Sequence, residues 1–184
     1  MAFLHRVQAV VALDNTGSRI FAKYFIGEDT PESSKALAPF EKQRSLEHAV
    51  FQAIHDPRRG NHVVYESEIL VVEGHIALFH ISEDVTIIVI GAGSENEVVL
   101  SNVLMGLVDA LRQELNTPSL TARLLLENYC ALLMTIDEML DEGIILETDS
   151  ATVANDLEPY LVDVSNDTAR AALTGVNKYL RDNL

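Results

Sequence analysis

Between Val7 and Leu13 apolar side chains fill both alternating sets, with Val7, Ala9, Val11 and Leu13 on one face and Val10 and Ala12 on the other. A strand of this kind is covered on both sides. Asp14-Asn15-Thr16-Gly17 supplies turn chemistry. Arg19 to Phe25 then returns, with Ile20, Ala22 and Tyr24 opposite Phe21, Lys23 and Phe25. The pattern predicts a β-hairpin.

From Pro31 to Asp56 the period changes to that of a helix. Pro39 interrupts it, so the helix proper is placed after that residue, where a proline suits the first turn. Leu46, Val50, Ala53 and Ile54 form its apolar stripe. Pro57-Arg58-Arg59-Gly60-Asn61 reads as a loop. Two strands follow, roughly Ser67 to Val72 and His75 to Ile81, turning at Glu73-Gly74. Ser82-Glu83-Asp84 leads into a third, Val85 to Ile90, apolar on both faces and therefore central.

Ser94-Glu95-Asn96-Glu97 has capping-box spacing. It predicts a helix to about Leu115 that buries Val99, Val103, Leu107 and Leu111. Thr117-Pro118-Ser119 opens another, through Leu125, Tyr129, Leu132, Leu133 and Ile136 to a stop at Gly143. Ile144-Ile145-Leu146 is a short extended piece. From Glu147 the chain turns acidic, with a helix predicted over Asp167 to Leu180.

The order ββ-α-βββ-α-α with short connections favours one five-stranded antiparallel sheet. Apolar residues on both sheet faces require one helix on one side and the helix pair on the other. The predicted class is therefore α/β in the α+β sense, with a domain over 1–150 and an acidic C-terminal tail over 151–184 that ends in a helix.

Composition narrows the partners. The chain has 184 residues, 48% of them hydrophobic, enough for one domain with a real core. A formal charge of −15 argues against nucleic acid and against direct docking on an anionic membrane. Cys130, the single cysteine, excludes an internal disulfide and is read as a small buried hydrophobe in an apolar helix. Neither a signal peptide, a membrane span nor a lipidation motif is legible, which predicts a cytoplasmic protein that reaches membranes only through partners.

The candidate chemistry is sparse. His75 and His80 fall on opposite faces of a strand, and His48 and His55 share a helix face without a clear third ligand, so no metal is expected. Asp137, Glu138, Asp141 and Glu142 cluster at a helix end, where they oppose the dipole and hint at a basic partner rather than at paired catalytic carboxylates. Gly91-Ala92-Gly93-Ser94 lacks the glycine pattern and lysine of a phosphate loop, and Glu95 and Glu97 occupy the positive helix end. No nucleophile motif is present. Nothing points to an enzyme or to a cofactor.

Several blocks, in order over most of residues 7 to 150, resemble the zeta subunits of the COPI vesicle coat, members of the longin and adaptor small-chain family. They are Leu13-Asp14-Asn15-Thr16-Gly17-Ser18-Arg19-Ile20-Phe21-Ala22-Lys23-Tyr24-Phe25, Phe40-Glu41-Lys42, Val89-Ile90-Gly91 with Glu95-Asn96-Glu97, Leu125-Leu126-Glu127-Asn128, Ile136-Asp137-Glu138-Met139, and Gly143-Ile144-Ile145-Leu146-Glu147-Thr148-Asp149. The stretch from Gln43 to Glu66 departs from the family by its length. The resemblance implies a longin fold and a structural role. It implies pairing with the large gamma subunit of coatomer, indirect dependence on an Arf-family GTPase, and residence on Golgi membranes and COPI-coated vesicles for Golgi-to-endoplasmic-reticulum and intra-Golgi transport. Arg19, Lys23, Tyr24, Asp137 and Glu138 are the residues expected at the partner interface. The alternative is a sigma-type clathrin-adaptor chain, which would bind dileucine cargo signals. A SNARE-regulating longin domain would need a coiled-coil motif and an anchor after it, and neither is legible.

Overall fold

The computed structural model describes residues 5–57 and 68–161. Strands β1 (Val7–Asp14) and β2 (Arg19–Tyr24) form the hairpin. A single turn, α1 (Glu32–Lys35), and helix α2 (Phe40–Ile54) follow, the latter with Pro39 at its N-cap. Strands β3 (Glu68–Val72), β4 (His75–Ser82) and β5 (Val85–Ala92) lead to helix α3 (Glu97–Glu114). Helices α4 (Ala122–Glu127) and α5 (Tyr129–Met139), the two-residue strands β6 (Leu140–Asp141) and β7 (Ile144–Ile145), and helical residues 150–161 complete the described chain.

The five-stranded sheet has the order β2-β1-β5-β4-β3 and is antiparallel throughout. β1 and β5 lie inside it, as their two-faced apolar patterns predict. α2 covers one face through Leu46 and Val50, which meet Ala9, Val11, Leu13, Phe79 and Ile88. α3, α4 and α5 cover the other, where Leu104, Leu107, Leu111, Leu125, Leu132 and Ile136 pack on Val10, Phe21, Leu78, Ile87 and Val89. Removing a side chain of this size from water contributes about 1.5–3 kcal/mol, so Leu104, Leu107 and Leu111 of α3 are a large share of what holds the second layer.

The structure refines several expectations. Val7 joins the α3 side with Val10, because the β1–β5 register shifts between Val7 and Ala9. The cap of α3 is Asn96, not Ser94: its side-chain Oδ1 accepts from Val98 N at 2.9 Å and Val99 N at 3.4 Å. Val99 at the first turn is only half-buried. The second long helix starts later and breaks. Thr121 caps α4 through Leu124 N at 3.1 Å, and Asn128, at φ −116° and ψ 40°, separates α4 from α5. α5 ends at Met139, because Leu140 turns extended and pairs with Ile145. Cys130 is exposed rather than buried, on the outer side of α5.

Residues 150–161 bring Val153 and Leu157 into the α3-side core, and Gln113 of α3 donates to Ser150 Oγ at 3.0 Å. The helix predicted at Asp167 to Leu180 and the Arg58-Arg59 loop lie outside the described residues.

Candidate interaction surface

β2 is an edge strand, and its two faces carry different chemistry. On the α2 face Arg19 donates from Nε to Glu47 Oε2 at 3.0 Å and from its terminal nitrogen to Glu47 Oε1. Tyr24 donates its hydroxyl to the same Oε1 at 3.0 Å, and Arg44 reaches Oε2 at 3.3 Å. The Glu47 carboxylate, only 2% exposed, is thus paired with a two-pronged arginine and further bonded, the condition under which a buried charge is tolerated. Burial, followed by the nearby Glu47 charge, pushes the Tyr24 phenol well above its ordinary value, so it stays a donor. Arg19 also lies over the exposed Phe40 ring at 4.8 Å.

On the α5 face Phe21 meets Tyr129 edge-on with ring centroids 5.6 Å apart, and Lys23 pairs with Asp137. Past the end of β2 the chain faces the β6–β7 turn. Gly143, at φ 82°, lets this turn approach: a Cβ there would lie 2.3 Å from Val7 O. Val7 N donates to Gly143 O at 2.7 Å. Between β2 and this turn opens a groove of about 430 Å³, with Phe25 and Leu140 among its lining and Lys23, Asp137, Asp141 and Glu142 at its sides.

The expected interface residues therefore divide. Lys23 and Asp137 come together at the groove, and Glu138 is exposed on the last turn of α5. Arg19 and Tyr24 turn to the opposite face and spend their polar groups on Glu47. Glu47 itself was missed, although it lies three and seven residues before Val50 and Ile54, on the helix stripe.

No group of three or more His, Cys, Asp or Glu could hold a metal among the described residues. Gly91 to Ser94 forms a turn closed by Glu95 N donating to Ala92 O at 2.9 Å. The Glu95 carboxylate would be raised by burial, but the His5 ring at 2.7 Å and the main-chain N–H groups of Arg6 and Asn96 hold it below its ordinary value. It ties the chain's start to the head of α3. Among the described residues no helix is long and apolar enough to cross a membrane.

Comparison with known proteins matches these features. Residues 6–161 fit the family model for the clathrin adaptor complex small chain. Coatomer subunit zeta-1 of Homo sapiens is 38% identical over 152 residues, covering 83% of this chain and 76% of the relative. Coatomer subunit zeta of Saccharomyces cerevisiae is 35% identical over 154 residues, covering 83% and 77%. Coatomer subunit zeta-1 of Oryza sativa is 31% identical over 182 residues, covering 97% and 96%. By structure, a chain in a homology model of the full-length AP-3 complex in a stretched open conformation superposes with a TM-score of 0.62 at 14% identity. That alignment covers 89% of this chain and 98% of the other, a likeness of fold.

Proposed function

This chain belongs to the clathrin adaptor complex small chain family, alongside the coatomer zeta subunits, and we propose that it is a structural subunit of the COPI vesicle coat. The observation that carries this reading is the 38% identity to coatomer subunit zeta-1 of Homo sapiens over 83% of the chain. The sigma-type alternative rests on the shared family alone. In this reading the chain catalyses nothing. It pairs with the large gamma subunit of coatomer, comes to Golgi membranes through the assembled coat, and depends on an Arf-family GTPase only through its partners. The acidic charge of −15 supports indirect membrane contact, since a surface of that sign gains nothing from anionic lipid.

Within that role Lys23, Asp137 and Glu138 contact the partner directly, and Arg19 and Tyr24 support them by holding β2 on α2 through Glu47. The division proposed is a domain over 1–150 and an acidic tail over 151–184, and packing of Val153 and Leu157 in the core supports a tail that starts on the domain itself. The test is affinity capture from cytosol with the tagged chain. Recovery of gamma coatomer supports the reading. Recovery of a clathrin-adaptor large chain in its place overturns it in favour of a sigma role.

A further inference from the structure

The outer edge of β2 is open. Phe25 N donates to Gln8 O at 2.9 Å, so Gln8 and Phe25 form a hydrogen-bonded pair of the β1–β2 ladder. In an antiparallel ladder such pairs alternate. Val10 with Lys23 is therefore the next bonded pair, and Ala22 and Tyr24, opposite Val11 and Ala9, turn their main-chain N–H and C=O groups away from β1. Among the described residues no strand pairs with that edge.

The groove described above continues this edge, with Tyr24, Phe25 and Ile26 on its near wall. Its buried floor holds Phe25 and Leu140, and its accessible apolar side chain is Ile26, 37% exposed at the lip. Its charge is one-sided. Lys23 is taken up by Asp137, while Asp141 and Glu142 are exposed and have no cation in ion-pair distance among the described residues. An unpaired strand edge, an exposed apolar side chain at the groove's lip and a free pair of carboxylates specify an occupant that is extended, apolar at alternate positions and basic between them.

We propose that the open edge of β2 and the adjoining acidic groove receive an extended basic segment of a partner protein, which adds as a further strand. Its main chain bonds to Ala22 and Tyr24, an apolar side chain rests on Ile26, and a lysine or arginine faces Asp141 and Glu142. A helix presents no free main-chain groups and would leave this edge unpaired. This inference stands apart from the coat assignment, because it uses only the edge, the groove and its charge.

The test uses the full isotope-labelled chain and three synthetic peptides: alternating Lys-Val, alternating Lys-Gly and alternating Glu-Val. The Lys-Val peptide is expected to bind at least about tenfold more tightly than either control, a gap of about 1.4 kcal/mol. It is also expected to slow amide hydrogen exchange at Ala22 and Tyr24. The double substitution Asp141→Lys, Glu142→Lys should weaken it by about tenfold, as should raising the salt, which screens exposed charges. Both residues are exposed, so the fold should survive. Equal binding of the Lys-Gly peptide overturns the proposal, since that reports only the net charge. Binding that leaves exchange at Ala22 and Tyr24 unchanged also overturns it.

Discussion

Arg19 of β2 grips Glu47 of α2 with two nitrogens of one guanidinium, and the carboxylate it grips is among the most buried charged groups of the described chain. The pair joins the edge strand to the helix on the sheet's first face. Removing one member strands the other in a site built for both. Glu47→Ala should destabilise the chain by about 3 kcal/mol, and Glu47→Gln by less, because the amide still accepts from Tyr24 and Arg19. Denaturant unfolding of both variants checks the order. Equal, negligible losses would show that the pair contributes nothing.

Glu114 sets a pH dependence. Thr135 Oγ1 lies 2.7 Å from Ala131 O and 2.8 Å from Glu114 Oε2, and a hydroxyl has one proton for two acceptors. The hydroxyl is therefore shared between the two acceptors, and only part of its donation reaches the Glu114 carboxylate. Burial pushes this carboxyl up to about 7, with the Thr135 hydrogen bond pulling the other way. The folded chain then holds a proton that the unfolded chain, at the ordinary value of 4.5, releases. Stability from this group is greatest below pH 4.5, falls as pH rises to about 7, and is level beyond. Discounted for partial exposure, the loss is about 1–2 kcal/mol. Glu114→Gln should abolish this fall, read as the difference in unfolding free energy between pH 4 and pH 8, which lie on either side of the interval from 4.5 to about 7.

Gly143→Ala should cost more than a typical surface change. The residue sits at φ 82°, where a side chain is strained, and a Cβ there would meet Val7 O at 2.3 Å. A loss of about 2 kcal/mol or more is expected, together with loss of the Val7 N to Gly143 O bond at 2.7 Å. Thermal unfolding and amide exchange at Val7 measure both.

Much of this layout was legible in the sequence because it is written in local periods. The two-faced runs at Val7 to Leu13 and Val85 to Ile90 mark the interior strands, and Pro39 marks the start of α2. The break at Asn128 was not legible. It interrupts a continuous apolar run, and the lost helical geometry is compensated by Asn128 itself, whose Nδ2 donates to Leu124 O one turn back at 3.0 Å, a choice that periodicity does not encode. The helix at 150–161 was hidden by Asn155, Asp156 and Pro159, which disfavour a helix interior, although Val153 and Leu157 stand four apart on its buried side. At the interaction surface, the meeting of Lys23 with Asp137 joins residues far apart in the chain, and no local pattern encodes it. The burial of Glu47 needed Arg19 and Tyr24 to be placed first.

Co-expression with the gamma subunit of coatomer probes the proposed assembly. A one-to-one complex is expected on size-exclusion chromatography. The chain within the complex should also unfold at a higher temperature than the chain alone, since a partner that binds only the folded form stabilises it. A chain that elutes as a free monomer beside gamma, with an unchanged unfolding temperature, would contradict the proposed assembly.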